Sequence, residues 1–178
     1  MTLAAPVDAD HVLAFCAGVV PGSLPHSVRC APAPGAEQLD CFLTVADKVA
    51  ADGGRCVFGW AIWEFPGVLI EAEFHAVWEG DDGTQLDVAA RPLMFPVITF
   101  LPDPVRTYQG RQVDNVRKPL SSDPRVRELI YLMGQRFGIL NAGARADQHA
   151  VALAGRSLKD FNRLEDRIEA LQRRLFRR

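Results

Sequence analysis

Apolar and polar positions along the chain follow two spacings, one typical of helices and one typical of strands. Helical spacing, with start and stop signals, predicts helices over residues 8–20, about 38–53, 124–138 and 147–177. Runs rich in β-branched and aromatic residues predict strands over 55–65, 68–79, 84–91 and 96–101. The proline-rich segment 21–35 and the polar segment 105–122 are expected to be irregular. The pattern predicts an α+β fold, in which a helix packs on a small antiparallel sheet over residues 1–122.

A helical C-terminal extension is expected over residues 123–178. Its last helix has an apolar seam with steps of three and four residues, and charged residues surround this seam. The members of the seam are Leu158, Phe161, Leu164, Ile168, Leu171 and Leu175. This pattern is typical of a short coiled coil over 158–177, which either packs on the domain or pairs with a second copy in a homodimer.

The segment 70–89 predicts a β-hairpin whose turn is Asp81-Asp82-Gly83. With Gly83 in the left-handed conformation, Gly80 faces Thr84 across the hairpin. His75 on the first strand and Asp87 on the second then become diagonal neighbours on one face. A loop that is one residue longer would place them on opposite faces. The sequence therefore predicts contact between an imidazole and a carboxylate.

Composition limits the classes of partner. The 178 residues are 48% hydrophobic and carry a net charge of -2, which gives no general reason to expect nucleic acid. We expect no membrane association, since no run is long and apolar enough to span a bilayer and the N-terminus lacks signal-peptide features. The four cysteines form no C-x-x-C pair, which argues against structural zinc and favours free thiols in the cytoplasm.

Three residues suggest catalysis by a thiol. Cys41 falls in the first turn of a predicted helix, where the helix dipole favours a thiolate. A nearby imidazole can hold the proton and later deliver it, and a carboxylate can orient the imidazole. Cys41, His75 and Asp87 follow one another in that order. We expect Cys41 to be the nucleophile, His75 the acid and base, and Asp87 the orienting group.

The order C-(helix)-(strand)-H-A-V-W-(turn)-Q-L-D resembles the core of transglutaminase-like enzymes, within the wider papain-like group. His75-Ala76-Val77-Trp78 and Leu86-Asp87 carry the resemblance, which covers about a third of the chain, residues 38–92. It implies a hydrolase or acyl transferase of the peptidase, amidase or deamidase type, working through a thioester on Cys41 without a metal or cofactor. The substrate it implies is a peptide, a protein or a small amide or ester.

The sequence offers further candidates for the site and other interpretations of Cys41, His75 and Asp87. Gln38 and the backbone N–H of Cys41 are candidate oxyanion donors, and Trp60 and Glu73 are candidates for the substrate site. Cys41 could instead be a small apolar core residue, and Cys41, His75 and Asp87 could hold zinc. A second hypothesis is a non-catalytic interaction protein that self-associates through its C-terminal helix.

Overall fold

The computed structural model describes residues 2–38, 40–148 and 151–176. The helices are α1 (Asp10–Val19), α2 (Cys41–Asp52), α3 (Pro124–Leu140) and α4 (Gly155–Leu175), with a 3-10 turn at Gly143–Asp147. The strands are β1 (Leu3–Ala4), β2 (His26–Cys30), β3 (Arg55–Phe65), β4 (Leu69–Glu79), β5 (Gln85–Asp87), β6 (Val97–Pro102) and β7 (Val116–Pro119). The expected α+β class is confirmed.

The described strands form one mixed sheet that closes into a small barrel. Their order is β1-β3-β6-β2-β5-β4-β7, and β3 also pairs with β4 along eleven residues, so five strands complete a ring. β1 and β7 extend it at β3 and β4. The expected purely antiparallel sheet is wrong, because β2 and β5 pair in parallel. β2 precedes α2 and β5 follows it, so the local sequence pattern of either strand does not reveal that they pair.

Alternating side chains of the long β3–β4 pair pack on opposite sides. Inside the barrel, a cluster includes Val28, Ala61, Val77 and Phe100. On the outer side, α1 buries Val12 and Phe15 against Trp60, Ile62 and Phe74. Also on the outer side, Val45 of α2 packs against Ala76 and Val88. The start of α2 is thereby fixed beside the middle of β4.

Two strands lie in segments that were expected to be irregular. β2 occupies part of the proline-rich stretch 21–35, and β7 occupies part of the polar stretch 105–122. Only Val28 of β2 is fully buried, and β7 alternates exposed and half-buried positions. These segments are strands because they pair with neighbouring strands, β2 with β5 and β6 and β7 with β4, and not because they are rich in apolar residues. β5 covers only Gln85–Asp87 and is therefore shorter than the expected strand 84–91.

The C-terminal part of the apolar seam of α4 packs on the protein's own core, whereas Leu158 at its start is 40% exposed. Ile168, Leu171 and Leu175 are buried against α3 residues such as Val126 and Leu129. Packing of the seam on the domain therefore occurs, while a homodimer through this helix stays a prediction. α4 begins at Gly155 rather than at 147, because Gly143–Asp147 forms a separate turn. The expected end at 177 lies outside the described residues.

None of the helices within residues 2–38, 40–148 and 151–176 combines the length and the apolar character needed to cross a bilayer.

Candidate active site

Cys41 is the first residue of α2 and lines a cleft. The first intrahelical bond runs from the Thr44 N–H to the Asp40 carbonyl, 3.0 Å away. The N–H groups of residues 41–43 therefore have no acceptor within the helix and give its start a partial positive charge. Cys41 is largely buried, at 9% exposed, and is one of the residues that line the cleft.

The hairpin between β4 and β5 has the register predicted from the sequence. Gly83 has φ 79°, and the Gly80 N–H donates to the Thr84 carbonyl at 3.0 Å. Trp78 lies opposite Leu86, which places His75 and Asp87 on the same face. His75 Nε2 lies 2.9 Å from Asp87 Oδ1. The predicted contact between the imidazole and the carboxylate is present.

An opening in the sheet lets Cys41 reach this pair. One edge of β4 pairs with β3 throughout, but the other pairs with β7 only at Leu69–Ala72 and with β5 at Trp78 and Glu79. Among the described strands, none pairs with that edge at positions 73–77. Cys41 and His75 both line the cleft beside this gap, and Cys41 is near enough to raise the pKa of the imidazole. Since Nε2 engages Asp87, Nδ1 is the ring nitrogen left for the thiol.

The site favours charge on both His75 and Asp87. Burial alone would lower the pKa of His75, but hydrogen bonds to Asp87 and Cys41 and the charges of these groups raise it to about 9. Burial would raise the pKa of Asp87, but the hydrogen bond from His75 and the charges of His75 and Arg91 hold it below its ordinary value. The imidazolium and the carboxylate therefore stabilise each other.

Arg91 completes this network, and sequence reasoning missed it. Its Nε donates to Asp87 Oδ2 at 3.1 Å, and its Nη2 lies 3.1 Å from His75 Nε2. Its Nη1 is 3.5 Å from Glu73, and its guanidinium lies 4.7 Å from the Trp63 ring centroid. The one available signal was an arginine four residues after the candidate aspartate, and this spacing has no fixed meaning outside a helix.

The cleft has a volume of about 330 Å³, near the lower end of the range for ligand sites. It lies between α2, β4, the segments 89–92 and 112–117, and α3. Glu73 belongs to its wall, as the substrate-site prediction requires, and accepts a hydrogen bond from Trp63 Nε1 at 2.7 Å. Because α3 forms one side, the expected extension 123–178 contributes to the cleft.

Two of the tentative site residues lie elsewhere. Trp60 is 3% exposed in the outer apolar cluster, with its Nε1 donating to Asp103 at 3.1 Å. Trp60 is not among the residues that line the cleft. Gln38 is exposed and its backbone bridges to Ala90, but its side chain is not among those lining the cleft. Its role as an oxyanion donor stays a prediction.

The other three cysteines have different surroundings. Burial raises the pKa of Cys16, Cys30 and Cys56 to about 11, and in Cys30 the neighbouring Asp87 adds to the effect. None of these three lines the cleft. In the described part of the chain, no group of three or more His, Cys, Asp and Glu side chains is arranged to hold a metal.

Comparison of this chain with known protein families, curated proteins and solved structures gave no match.

Proposed function

We propose that this protein is a cysteine-dependent hydrolase or acyl transferase that cleaves an amide or an ester through a thioester on Cys41. One observation carries the proposal: a thiol at a helix start lines the same cleft as a histidine that is hydrogen-bonded to a buried aspartate, and it helps to raise the pKa of that histidine. This class of site is defined by a nucleophile, a base beside it and a third group that orients the base.

In the first half of the reaction, Cys41 Sγ attacks the carbonyl carbon of the substrate. His75 Nδ1 takes the thiol proton, and the hydrogen bond from Nε2 to Asp87 keeps the ring oriented. The carbon–sulfur bond forms, the bond to the leaving nitrogen or oxygen breaks, and His75 delivers its proton to the leaving group. An amine or an alcohol departs and a thioester remains on Cys41.

In the second half, water or an amine attacks the thioester while His75 removes its proton. The carbon–sulfur bond then breaks, and the electron pair returns to the sulfur. Attack by water gives hydrolysis, and attack by an amine gives acyl transfer. Both outcomes use the same three side chains.

The backbone at the start of α2 is suited to stabilise the oxyanion that forms in each half. The N–H of Cys41 has no intrahelical acceptor and belongs to the same residue as the nucleophile. The dipole of α2 adds partial positive charge at this point. We assign the first oxyanion donor to this N–H group.

We also propose that the fold is a variant of the transglutaminase-like core. The observed order of α2 with Cys41, β3, β4 with His75 and β5 with Asp87 supports this relationship. Closure of the strands into a ring through β2 and β6 and the packing of α3 and α4 on the barrel would then be features of this variant.

Trapping of the acyl-enzyme tests the proposal. Incubation with 4-nitrophenyl acetate should give a burst of nitrophenolate and an acetyl adduct that peptide mass spectrometry assigns to Cys41. Cys41→Ser and His75→Asn should each abolish the rapid adduct. Cys56→Ala is the matched control and should acylate like the wild type. An adduct distributed over several cysteines, or one that persists at equal rate in His75→Asn, contradicts the proposal.

A further inference from the structure

The C-terminal half of α3 presents an apolar surface to the cleft. Met133, Phe137 and Leu140 are spaced by four and three residues and therefore share one side of the helix. All three line the cleft. Met133 also packs in the core between α3 and α4, but Phe137 and Leu140 are half-buried and stand outside the apolar clusters found among the described residues. These two side chains therefore contribute more to the cleft than to the core.

A second group of lining residues, on α2, β4 and the segment 112–117, is apolar as well. Phe42 follows Cys41 on α2, and its ring stacks on Tyr108 with centroids 3.9 Å apart. Phe42 also contacts Phe74 of β4 at 5.4 Å, and Val113 continues this wall. Ring-to-ring packing fixes the position of Phe42. Apolar side chains of α2, β4 and α3 thus all contribute to the lining of the cleft that holds Cys41.

Most charged side chains of the cleft already have a partner of opposite charge. Glu73 lies 3.5 Å from Arg91, and Asp114 lies 2.9 Å from Arg117. Arg136 lies 3.6 Å from Glu165, and His75 is hydrogen-bonded to Asp87. An ionised substrate group would have to compete with these existing ion pairs, whereas an uncharged apolar group would displace only water from the walls.

We infer that the cleft binds an uncharged, apolar acyl group, which the wall formed by Phe137 and Leu140 selects. This inference rests on the proposed function, because it places the carbonyl carbon at Cys41 and the acyl chain along α3. The volume of about 330 Å³ fits an aliphatic chain of medium length or a single large side chain. The substrate class is therefore an amide or ester of a medium-length aliphatic or an aromatic acid.

A series of 4-nitrophenyl esters with one common leaving group tests this inference. The acyl groups would be acetyl, butyryl and hexanoyl, with the succinic and 4-aminobutyric monoesters as charged members. Each rate of Cys41 acylation is divided by the rate with free N-acetylcysteine, which removes differences in intrinsic reactivity. The corrected rate should rise about fourfold for each methylene that the wall buries. Both charged esters should react more slowly than butyryl ester.

Variants of α3 assign the preference to its wall. Phe137→Ala should lower the hexanoyl-to-acetyl ratio about tenfold or more, and Leu140→Ala should lower it by a smaller factor. Phe137→Trp fills the cleft and should move the optimum toward shorter chains, which a misfolded protein would not do. Tyr131→Ala is the matched control, because Tyr131 is 64% exposed on the same helix and does not line the cleft. Its ratio should equal that of the wild type.

The outcomes separate the two proposals. If no ester acylates Cys41, the proposed function fails. If Cys41 is acylated but the corrected rates are equal for all chain lengths, or highest for a charged ester, the proposed function stands and the apolar subsite is refuted. A chain-length preference that survives Phe137→Ala and Leu140→Ala together also overturns the assignment to α3.

Discussion

Replacing Arg91 by methionine should destabilise the protein in a pH-dependent way. Arg91 is 15% exposed and supplies a cation to Asp87, whose side chain is fully buried. Methionine fills much of the space of the arginine stem but carries no charge and donates no hydrogen bond. Asp87 would keep its bonds from His75 and the Ala89 N–H, and its Oδ2 would lose Arg91 and keep only the weak Cys30 thiol donor at 3.9 Å.

The expected magnitude follows from the burial of the pair. Removing one partner of a buried ion pair costs about 3–5 kcal/mol. Because His75 still faces Asp87, we expect about 3 kcal/mol at pH 7, including the lost contact with the Trp63 ring. For a protein of this size such a loss lowers Tm by about 6–12 °C. Arg91→Lys keeps the charge but not the planar fork, and it should lose about 1 kcal/mol.

The pH dependence gives the sharper test. The pKa of Asp87 is held below its ordinary value in the folded protein, so its contribution to stability is present above about pH 4 and is lost as the pH falls through the folded pKa. Without Arg91 that pKa rises, and protonation relieves the unpaired charge. Urea unfolding at pH 7 and pH 4 should therefore show a larger gap between wild type and Arg91→Met at pH 7. Equal gaps at both pH values, or a gap below about 0.5 kcal/mol, would refute this reasoning.

Three further predictions concern the core of the site and its support. The pKa of His75 is raised to about 9, so the stability that His75 contributes is complete below about pH 6.5 and should decline by a few kcal/mol as the pH rises through 9. Urea unfolding of His75→Asn should lack this decline, and the same pH dependence in both proteins would exclude His75 as its source. Gly59→Ala should strongly destabilise the protein, because a Cβ opposite His75 would collide with the Leu101 carbonyl and the Phe100 ring; a Tm within about 3 °C of wild type would contradict that packing. Leu171→Asp should cost about 3–5 kcal/mol in unfolding experiments without changing the mass in light scattering, whereas a shift from dimer to monomer would assign the seam of α4 to self-association.

The local parts of the site could be predicted from the sequence for physical reasons. Asp81, Asp82 and Gly83 fix the turn, and the turn fixes the register that places His75 beside Asp87. The period of two along a strand then assigns both side chains to one face. The helix that carries Cys41 also follows from local signals. It ends at Gly53 as predicted, and its start at Cys41 lies within one turn of the predicted start near residue 38.

The remaining features depend on contacts between distant segments. β2 joins the barrel because β5 and β6 accept it on either side, while its own sequence has a single fully buried residue. Arg91 reaches Asp87, Glu73 and Trp63 only because the chain turns back after β5. Trp60 was expected at the substrate site, but it packs with residues of α1 in the outer apolar cluster. No local pattern contains this information.

The most direct test of the central claim is the pH dependence of alkylation of Cys41 by iodoacetamide, followed by peptide mass spectrometry. At pH 6, thiols with a pKa of about 11 are ionised only on the order of 10⁻⁵, so Cys16, Cys30 and Cys56 should remain unlabelled. The account predicts rapid labelling of Cys41 at pH 6 that His75→Ala abolishes. Labelling of Cys41 that rises with pH in parallel with the other cysteines, and that is unchanged in His75→Ala, would contradict it.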